Sequence, residues 1–184
     1  MGFKNNYEKA SNGNGIKPEG DYECIITAIE ERTTPKGAKG LNFTLTVRND
    51  VQGQKYGNSN IFYTIWRKKE PNEFDMQVKG YNFGQLMAMG KAVQLPDGKD
   101  YDSLEAYCED LEHKCVRVTL EHKAYNGKER ENVEYLNPTK FPNCNHKFKA
   151  TANNSNTAEN QNVVNTANST GNFDDLLIDD GVPF

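Results

Sequence analysis

The sequence predicts a mainly β fold, a five-stranded barrel with a helical insert between strands 3 and 4 and a disordered C-terminal tail. Three observations lead to this prediction. Segments with a two-residue hydrophobic period flank a central region with a helical period. An Asn-Gly pair separates the last two strand-like segments, which is typical of a hairpin. Between residues 150 and 172, large apolar side chains are almost absent.

The first third of the chain predicts an arm and three strands. Residues 1–19 are polar and glycine-rich, so we expect a flexible N-terminal arm that ends in a turn. Residues 21–31 are rich in β-branched and aromatic side chains, which favour a strand. Residues 41–48 alternate between apolar and polar side chains, as in a half-buried strand. Residues 59–67 predict a third strand that is apolar or aromatic on both faces.

The middle of the chain predicts two helices and then a hairpin. Apolar side chains recur at helical spacing over residues 83–93 and again over residues 103–111, where Asp102 or Ser103 is available as the N-cap. Strand character returns at residues 115–124. The Asn126-Gly127 pair then predicts a tight turn, and residues 131–136 are the partner strand.

Three strands, a helical insert and a hairpin follow one another in the order of the oligonucleotide/oligosaccharide-binding barrel, the OB fold. Other small β-barrels are compatible with this order, and hydrophobic periodicity alone does not choose between them. In an OB fold, the outer face of the second and third strands and the loops after the first and fourth strands form a binding groove. We therefore expect residues 20–149 to form one small β-barrel domain, for which the resemblance of the C-terminal end, described below, favours the OB fold.

Charge and composition change together near residue 149. All 22 basic residues lie at or before Lys149, whereas five of the 26 acidic residues lie beyond it. Residues 1–149 therefore carry a net charge of +1, and residues 150–184 carry −5. Residues 150–173 are rich in asparagine and have too little apolar surface to offset the entropy of ordering, so they predict a disordered linker. Residues 174–184 predict an acidic partner-binding tail.

The chain ends in an acidic and apolar hook, Asp179-Asp180-Gly181-Val182-Pro183-Phe184. The last residue carries an aromatic ring and the α-carboxylate together, so a partner can bury the ring and pair the carboxylate with a cation. This ending resembles the Asp-Asp-Asp-Ile-Pro-Phe tip of bacterial and phage single-stranded DNA-binding proteins. A glycine here replaces one aspartate, and a valine replaces the isoleucine. The plainer interpretation is a solvated, solubilising acidic tail.

The resemblance implies a phage-encoded OB-fold protein that binds and protects single-stranded DNA, without sequence preference, during DNA replication, recombination and repair. It also implies that the tail recruits replication and recombination proteins through Asp179, Asp180, Val182, Pro183 and Phe184. Proteins of this class occur as monomers, dimers and tetramers, so the sequence leaves a homo-oligomer open. We expect a cytoplasmic protein of the host cell that does not enter membranes, because the chain shows no secretory leader or long apolar run.

Single-stranded DNA requires cations for its phosphates and flat aromatic faces for its unstacked bases. Trp66 is the leading candidate for stacking, because it and Phe62 face outward if their neighbours in the strand fill the core. The opposite arrangement would place Trp66 in the core and Tyr63 outside. The predicted nucleic-acid-binding residues are Arg32, Lys36, Lys39, Arg48, Lys55, Tyr56, Phe62, Trp66, Arg67, Lys68, Lys123, Tyr125, Lys128 and Arg130.

We expect neither catalysis nor a cofactor. The sequence has no phosphate-binding loop of the Gly-x-x-x-x-Gly-Lys-Ser/Thr type, no His-Glu-x-x-His and no Gly-x-Ser-x-Gly. The four cysteines lack paired-ligand spacing, so we expect reduced thiols and no metal site. Three rival functions remain open: a protein-binding adaptor that ignores DNA, a single-strand annealing protein in recombination, and a small nuclease.

Overall fold

Five strands and three helices make up the described part of the chain, which is residues 15–149 of a computed structural model. The strands are β1 (Gly20–Thr33), β2 (Lys39–Val47), β3 (Asn60–Trp66), β4 (Cys115–Tyr125) and β5 (Lys128–Asn137). The helices, between β3 and β4, are α1 (Glu73–Gln77), α2 (Phe83–Ala92) and α3 (Leu104–Leu111). The mainly β fold with a helical insert is therefore confirmed. Most of the predicted arm, the linker and the acidic tail lie outside the described residues.

The strands form one antiparallel sheet in the order β3-β2-β1-β4-β5. The long strand β1 is central, because its first part pairs with β4 and its second part with β2. A bulge in β1 between Ile26 and Ala28 follows the residues that pair with β4 and precedes most of those that pair with β2. Bulges bend a strand and increase its twist, which lets one strand serve both halves of a curved sheet.

The predicted closed barrel is not shown, because the sheet is open between its edge strands β3 and β5. A buried lysine spans this gap. Lys17 is 8% exposed, and its Nζ donates a hydrogen bond of 2.7 Å to the Asn60 carbonyl at the start of β3. The same ammonium forms an ion pair of 3.3 Å with Glu131 on β5. Side-chain contacts therefore connect the two edges, and Lys17 is anchored although it lies in the predicted flexible arm.

The core lies on one face of the sheet, under the helices. The apolar half of the alternation predicted for the second strand is observed, since its four apolar side chains are at most 6% exposed. The strand is not half-buried, however, because Asn42, Thr46 and Arg48 of its polar face are at most 7% exposed. Tyr107 of α3 donates a hydrogen bond of 2.7 Å to the Leu86 carbonyl of α2, and Leu86 is itself fully buried. The helical insert and the inner face of the sheet therefore share one core, and the outer face of the sheet lies on the other side.

Helix α1 is absent from the sequence prediction because five residues are too short for a hydrophobic period to show. Its buried Asp75 accepts hydrogen bonds from the backbone N–H groups of Asn72 and Phe83, at 2.9 and 3.0 Å. These bonds close a capping box on α1 and satisfy a donor in the first turn of α2. The Phe83 N–H is the largest of the causes that hold the pKa of Asp75 at about 2.

After β5, residues 138–149 cross back to the end of β2 without forming a helix or strand. We call this segment the strap. Pro138 begins it, and Lys147 near its end exchanges two hydrogen bonds with the Asn49 side chain, at 2.7 and 3.0 Å. The sequence analysis placed no element here, yet the strap occupies a defined path on the outer side of the sheet.

Candidate nucleic-acid interface

The orientation of β3 decides which aromatic rings face outward. Ile61 and Ile65 are 1% and 0% exposed, and Tyr63 packs inward on Phe43 with a ring-centroid distance of 6.1 Å. Pleating places Phe62 on the other face, where it is 40% exposed. Trp66 shares that outer face and is half-buried. The outward arrangement of these two rings is therefore observed, while base stacking on them stays a prediction.

A glycine makes room for the indole ring of Trp66. Gly40 of β2 lies directly opposite Trp66 in the ladder. A Cβ atom at Gly40 would lie 2.7 Å from the Thr64 methyl group and about 3 Å from two carbon atoms of the indole. Because such contacts are too short, only glycine lets the ring lie close to the β2 backbone. The sequence analysis did not identify Gly40, which reads there as part of a loop.

Two predicted cations lie near Gly40, but only Arg32 shares the outer face of Trp66, because pleating points Lys39 to the opposite face. Arg32 of β1 lies across from Gly40 in the ladder, and Lys39 is the neighbour of Gly40 in β2. Each forms an ion pair of 3.0 Å with a partly exposed glutamate of β1. Exposed ion pairs contribute little stability, so a phosphate group can replace the glutamates at small cost. Lys36, also predicted, is exposed in the loop between these two strands.

The cations that follow β3 differ from one another. Arg67 is exposed, and its side chain lies along Gly80, where a Cβ would be 3.0 Å from Nε. Lys68 instead donates a hydrogen bond of 2.9 Å to the buried carboxylate of Asp75. Lys68 therefore helps to hold the helical insert, a structural role that the sequence prediction did not assign to it.

The hairpin between β4 and β5 carries four predicted residues. Its turn residues Asn126 and Gly127 have φ angles of 47° and 75°, the left-handed pair that a tight hairpin turn requires. The Arg130 guanidinium lies over the Tyr125 ring, 5.2 Å from its centroid. Lys123 forms an ion pair of 3.1 Å with Glu134. The fourth residue, Lys128, is exposed beside the turn.

The candidate residues are spread along β3 rather than gathered at one point. The contacts of Lys17 place the base of the β4–β5 hairpin at the Asn60 end of the strand. Trp66, Arg32 and Lys39 lie at the opposite end. Lys55 and Tyr56, from the loop between β2 and β3, also precede the Asn60 end, and Tyr56 packs edge-on against Tyr22 at 6.3 Å. A ligand that touched all of these groups would have to be an extended chain.

Arg48 corrects one of the sequence predictions. It was expected to contact phosphate, but the residue is 0% exposed. Its Nε and Nη2 atoms donate to the two carboxylate oxygens of Asp50, at 2.9 and 2.7 Å. The remaining donors reach Thr139 Oγ1 and the carbonyl oxygens of Phe141 and Asn143. All five guanidinium N–H groups are thus engaged within the chain.

Arg48 anchors the strap instead. The paired guanidinium is the largest cause that holds the pKa of Asp50 at about 2. The same carboxylate also accepts a hydrogen bond of 2.7 Å from the Asn145 N–H. At the other end of the strap, buried Glu23 accepts a hydrogen bond of 3.0 Å from the Lys140 N–H. Four carbonyl or amide groups of the strap are therefore fixed by charged side chains of the sheet.

His146 makes this attachment sensitive to pH. Its Nδ1 accepts a hydrogen bond of 3.1 Å from the Asn49 N–H, so this nitrogen carries no proton. Burial lowers the pKa of His146 below its usual 6.5, and nearby Arg48 lowers it further while Asp50 opposes the shift. The folded protein therefore binds fewer protons than the unfolded chain. The resulting stability is present above about pH 6.5 and is lost as the pH falls towards the folded pKa.

We expect the urea midpoint to fall between about pH 7.5 and about pH 5.5, and to fall less in a His146→Asn variant, whose amide oxygen replaces the accepting nitrogen. Equilibrium urea unfolding of both proteins at the two pH values measures the difference. The variant also provides the control for the remaining histidines. An equal fall in both proteins would show that His146 does not carry the effect.

Two thiols meet beneath the strap. Cys115 of β4 and Cys144 of the strap contact each other, and burial, followed by this contact, raises the pKa of Cys115 to about 12. All four cysteines are free, and within residues 15–149 no three His, Cys, Asp or Glu side chains converge to hold a metal ion. None of the helices in residues 15–149 has the length and apolar character needed to cross a membrane.

Comparison with known proteins places most of this chain in a family. Residues 3–161 match the family described as "Protein of unknown function (DUF669)". The chain belongs to the DUF669 family. The match spans the whole described sheet, the helical insert and the strap, so these features form part of a family domain.

The DUF669 chain is also similar to a curated nucleic-acid-binding protein. It is 24% identical over 136 residues to the DNA/RNA-binding protein ALBA4 of Plasmodium falciparum (isolate 3D7). The match covers 73% of this chain and 33% of the relative, so the chain spans about a third of the relative's length.

Proposed function

We propose that this DUF669 protein binds single-stranded DNA without sequence preference and protects it during phage DNA replication, recombination and repair. Its action is binding rather than catalysis, and it needs no cofactor. The observation that carries the proposal is the outer face of β3, where Phe62 and Trp66 face outward and Arg32 of β1 shares their face across Gly40. Exposed rings can stack on bases of any sequence, and the cations can contact the phosphates.

The length of the candidate surface supports a strand-like ligand. Seven residues of β3 separate the hairpin end from the Trp66 end, which is about 20 Å at the usual rise of a strand. A folded protein partner would more naturally use a compact apolar patch with a polar rim. The similarity to a DNA/RNA-binding protein agrees with a nucleic-acid ligand.

We further propose that the sheet belongs to the OB-fold class and curves towards a barrel. The support comes from the strand order β3-β2-β1-β4-β5, the helices between β3 and β4, and the Lys17 bridge between β3 and β5. In an OB barrel, the groove lies on the outer faces of strands 2 and 3. Phe62 and Trp66 lie on the corresponding face here.

Titration with poly(dT) tests the proposal, because Trp66 is the sole tryptophan of the chain. We expect strong quenching of its fluorescence at about 50 mM salt and an affinity lower by orders of magnitude at about 200 mM salt, since phosphate contacts release counterions. Poly(U) under the same conditions compares RNA with DNA. A protein that leaves poly(dT) unbound at the lower salt concentration would contradict the proposal and favour the protein-binding adaptor.

Deleting the last eight residues is expected to keep or tighten DNA binding and to abolish recruitment of replication and recombination proteins. The acidic tail can compete with DNA for the cations of the interface, and its apolar end is the part that a partner would bury. Poly(dT) titration and co-precipitation of the partner proteins measure the two effects. Loss of DNA binding in the truncated protein would contradict this coupling.

A single-strand annealing protein and a nuclease would each change the DNA in a way that coating does not. An annealing protein would accelerate pairing of complementary labelled strands. A nuclease would shorten a labelled oligonucleotide in the presence of Mg²⁺. We expect neither result, because the proposed interface consists of stacking rings and cations rather than of a cluster of catalytic side chains.

A further inference from the structure

The strap carries a second set of the groups that single-stranded nucleic acids require. Its twelve residues include three lysines and two phenylalanines but no aspartate or glutamate. Phe141 is 46% exposed and Phe148 is 55% exposed, although a ring of this size is usually buried. Lys140, Lys147 and Lys149 are exposed beside them. The sequence analysis did not assign these five residues to the interface.

The strap is held in place before any ligand arrives. Arg48 donates hydrogen bonds of 2.6 and 2.9 Å to the carbonyl oxygens of Phe141 and Asn143. Asn49 binds both backbone groups of Lys147. A segment that is already fixed loses little conformational entropy when it binds, so exposed rings on it are suited to binding. An unattached loop with the same composition would have to be ordered first.

The strap lies on the same outer face as the Trp66 surface. Along β2, the outward positions run from Gly40, opposite Trp66, through Thr44, opposite Phe62, to Arg48 beneath the strap. Thr44 and Arg48 are four residues apart, or about 13 Å at the rise of a strand. The strap therefore continues the row of aromatic rings beyond the Phe62 end of the sheet.

The ring of Phe148 has a fixed neighbour. His146 packs against it edge-on, with a centroid distance of 4.6 Å, and His146 is itself tied to the Asn49 N–H. The position of Phe148 is thus linked through one histidine to the end of β2. Phe141 is positioned differently, through its own carbonyl bond to Arg48. Both phenylalanines are therefore linked to the end of β2, Phe148 through a neighbouring side chain and Phe141 through its backbone.

We propose that the strap is a second base-stacking platform for the single-stranded DNA bound by this chain. Phe141 and Phe148 each stack on a base, and Lys140, Lys147 and Lys149 contact phosphates on either side. This inference rests on the proposed function and extends it, since a strand leaving the Phe62 and Trp66 rings would continue across the strap. Arg48 has a positioning role, because it acts on DNA only through the strap that it holds.

Two variants of the full-length chain test the platform. In the first, Phe141→Ala is combined with Phe148→Ala, and we expect poly(dT) affinity to fall about tenfold or more while Trp66 quenching persists at saturation. In the second, the three strap lysines become glutamine. Each lost phosphate contact reduces the salt slope by about 0.7 on a single strand, so the slope of log affinity against log salt should become shallower by about two.

Matched controls come from the helical side of the molecule. Phe74→Ala combined with Met76→Ala removes two exposed apolar side chains of α1. Lys79→Gln, Lys91→Gln and Lys99→Gln together remove three exposed cations of the helical insert. We expect both controls to bind like the unaltered protein. Circular dichroism and urea midpoints confirm that each variant remains folded before its binding is compared.

Cross-linking gives a readout that does not depend on affinity. Oligo(dT) that contains 5-iodo-deoxyuridine should cross-link under ultraviolet light to the peptide with Phe141 and to the peptide with Phe148. If the unaltered chain binds poly(dT) but neither strap variant weakens binding and no strap peptide cross-links, the platform is overturned and the proposed function stands. An equal loss in the strap and control lysine variants would also overturn it. If the unaltered chain fails to bind, both proposals fail.

Discussion

Replacing Arg48 by alanine is expected to lower the free energy of unfolding by about 3–5 kcal/mol, the usual cost of breaking a buried ion pair by removing one partner. The substitution leaves the carboxylate of Asp50, whose side chain is 10% exposed, without its bidentate partner. It also removes the donors of two strap carbonyl groups. Equilibrium urea unfolding measures the change. An unaltered dependence of the free energy of unfolding on urea concentration would show that two-state behaviour is retained.

A second substitution separates the contribution of the planar, five-donor guanidinium from that of its positive charge. Arg48→Lys keeps a cation but has three N–H donors in place of the five that Asp50 and the strap engage, so it should recover only part of the loss. Lys79→Ala is the control, because its ion pair with Glu105 is exposed and should contribute little to stability. In Arg48→Ala, trypsin should also cut faster at the strap lysines. Unchanged stability and unchanged cleavage would show that Arg48 does not anchor the strap.

Replacing Trp66 by alanine is expected to weaken oligo(dT) binding by about 1–3 kcal/mol, the usual contribution of one stacked base. The fluorescence signal is lost with the residue, so the anisotropy of a labelled oligonucleotide replaces it. Trp66→Phe retains a flat ring and should lose less. Phe74→Ala, which removes a 59% exposed ring from α1, is the matched control and should bind normally.

Gly40→Ala tests whether binding depends on the position of the Trp66 indole as well as on its presence. The added methyl group would meet Thr64 and the ring of Trp66 at about 3 Å or less, so the ring has to move. We expect weaker binding and an altered tryptophan emission although Trp66 is still present. If Trp66→Ala binds oligo(dT) as the unaltered protein does, Trp66 is not a stacking residue, whatever the result for Gly40.

The sequence predicts the strands and the two longer helices because their signals are local. Alternation in β2, the Asn-Gly turn and the period of α2 each depend on residues that are neighbours in the chain. The outward orientation of Trp66 follows from the same logic, since its strand neighbours are strongly apolar. Helix α1 is not predicted, because it depends on one capping carboxylate, Asp75, rather than on a repeated hydrophobic pattern.

The placement of Arg48 could not be predicted in the same way. In the sequence it ends the polar face of a half-buried strand, where an arginine is normally exposed. Its burial depends on carbonyl groups from residues 141 and 143, about ninety residues later. The strap was missed for a related reason, since a segment after Pro138 without a regular period reads as a loop. Its alternation of aromatic and basic residues was the available signal.

Two contacts between distant parts of the chain determine when the sheet can be completed during protein synthesis. Lys17 and Glu131 are separated by 114 positions, and Glu23 and Lys140 by 117. Contacts that close such large loops form late in folding, because the chain loses entropy before they are made. A nascent chain therefore cannot finish its sheet until nearly all of the family domain has left the ribosome. Until then, the edges of β3 and β5 stay accessible to chaperones and to other unfinished copies.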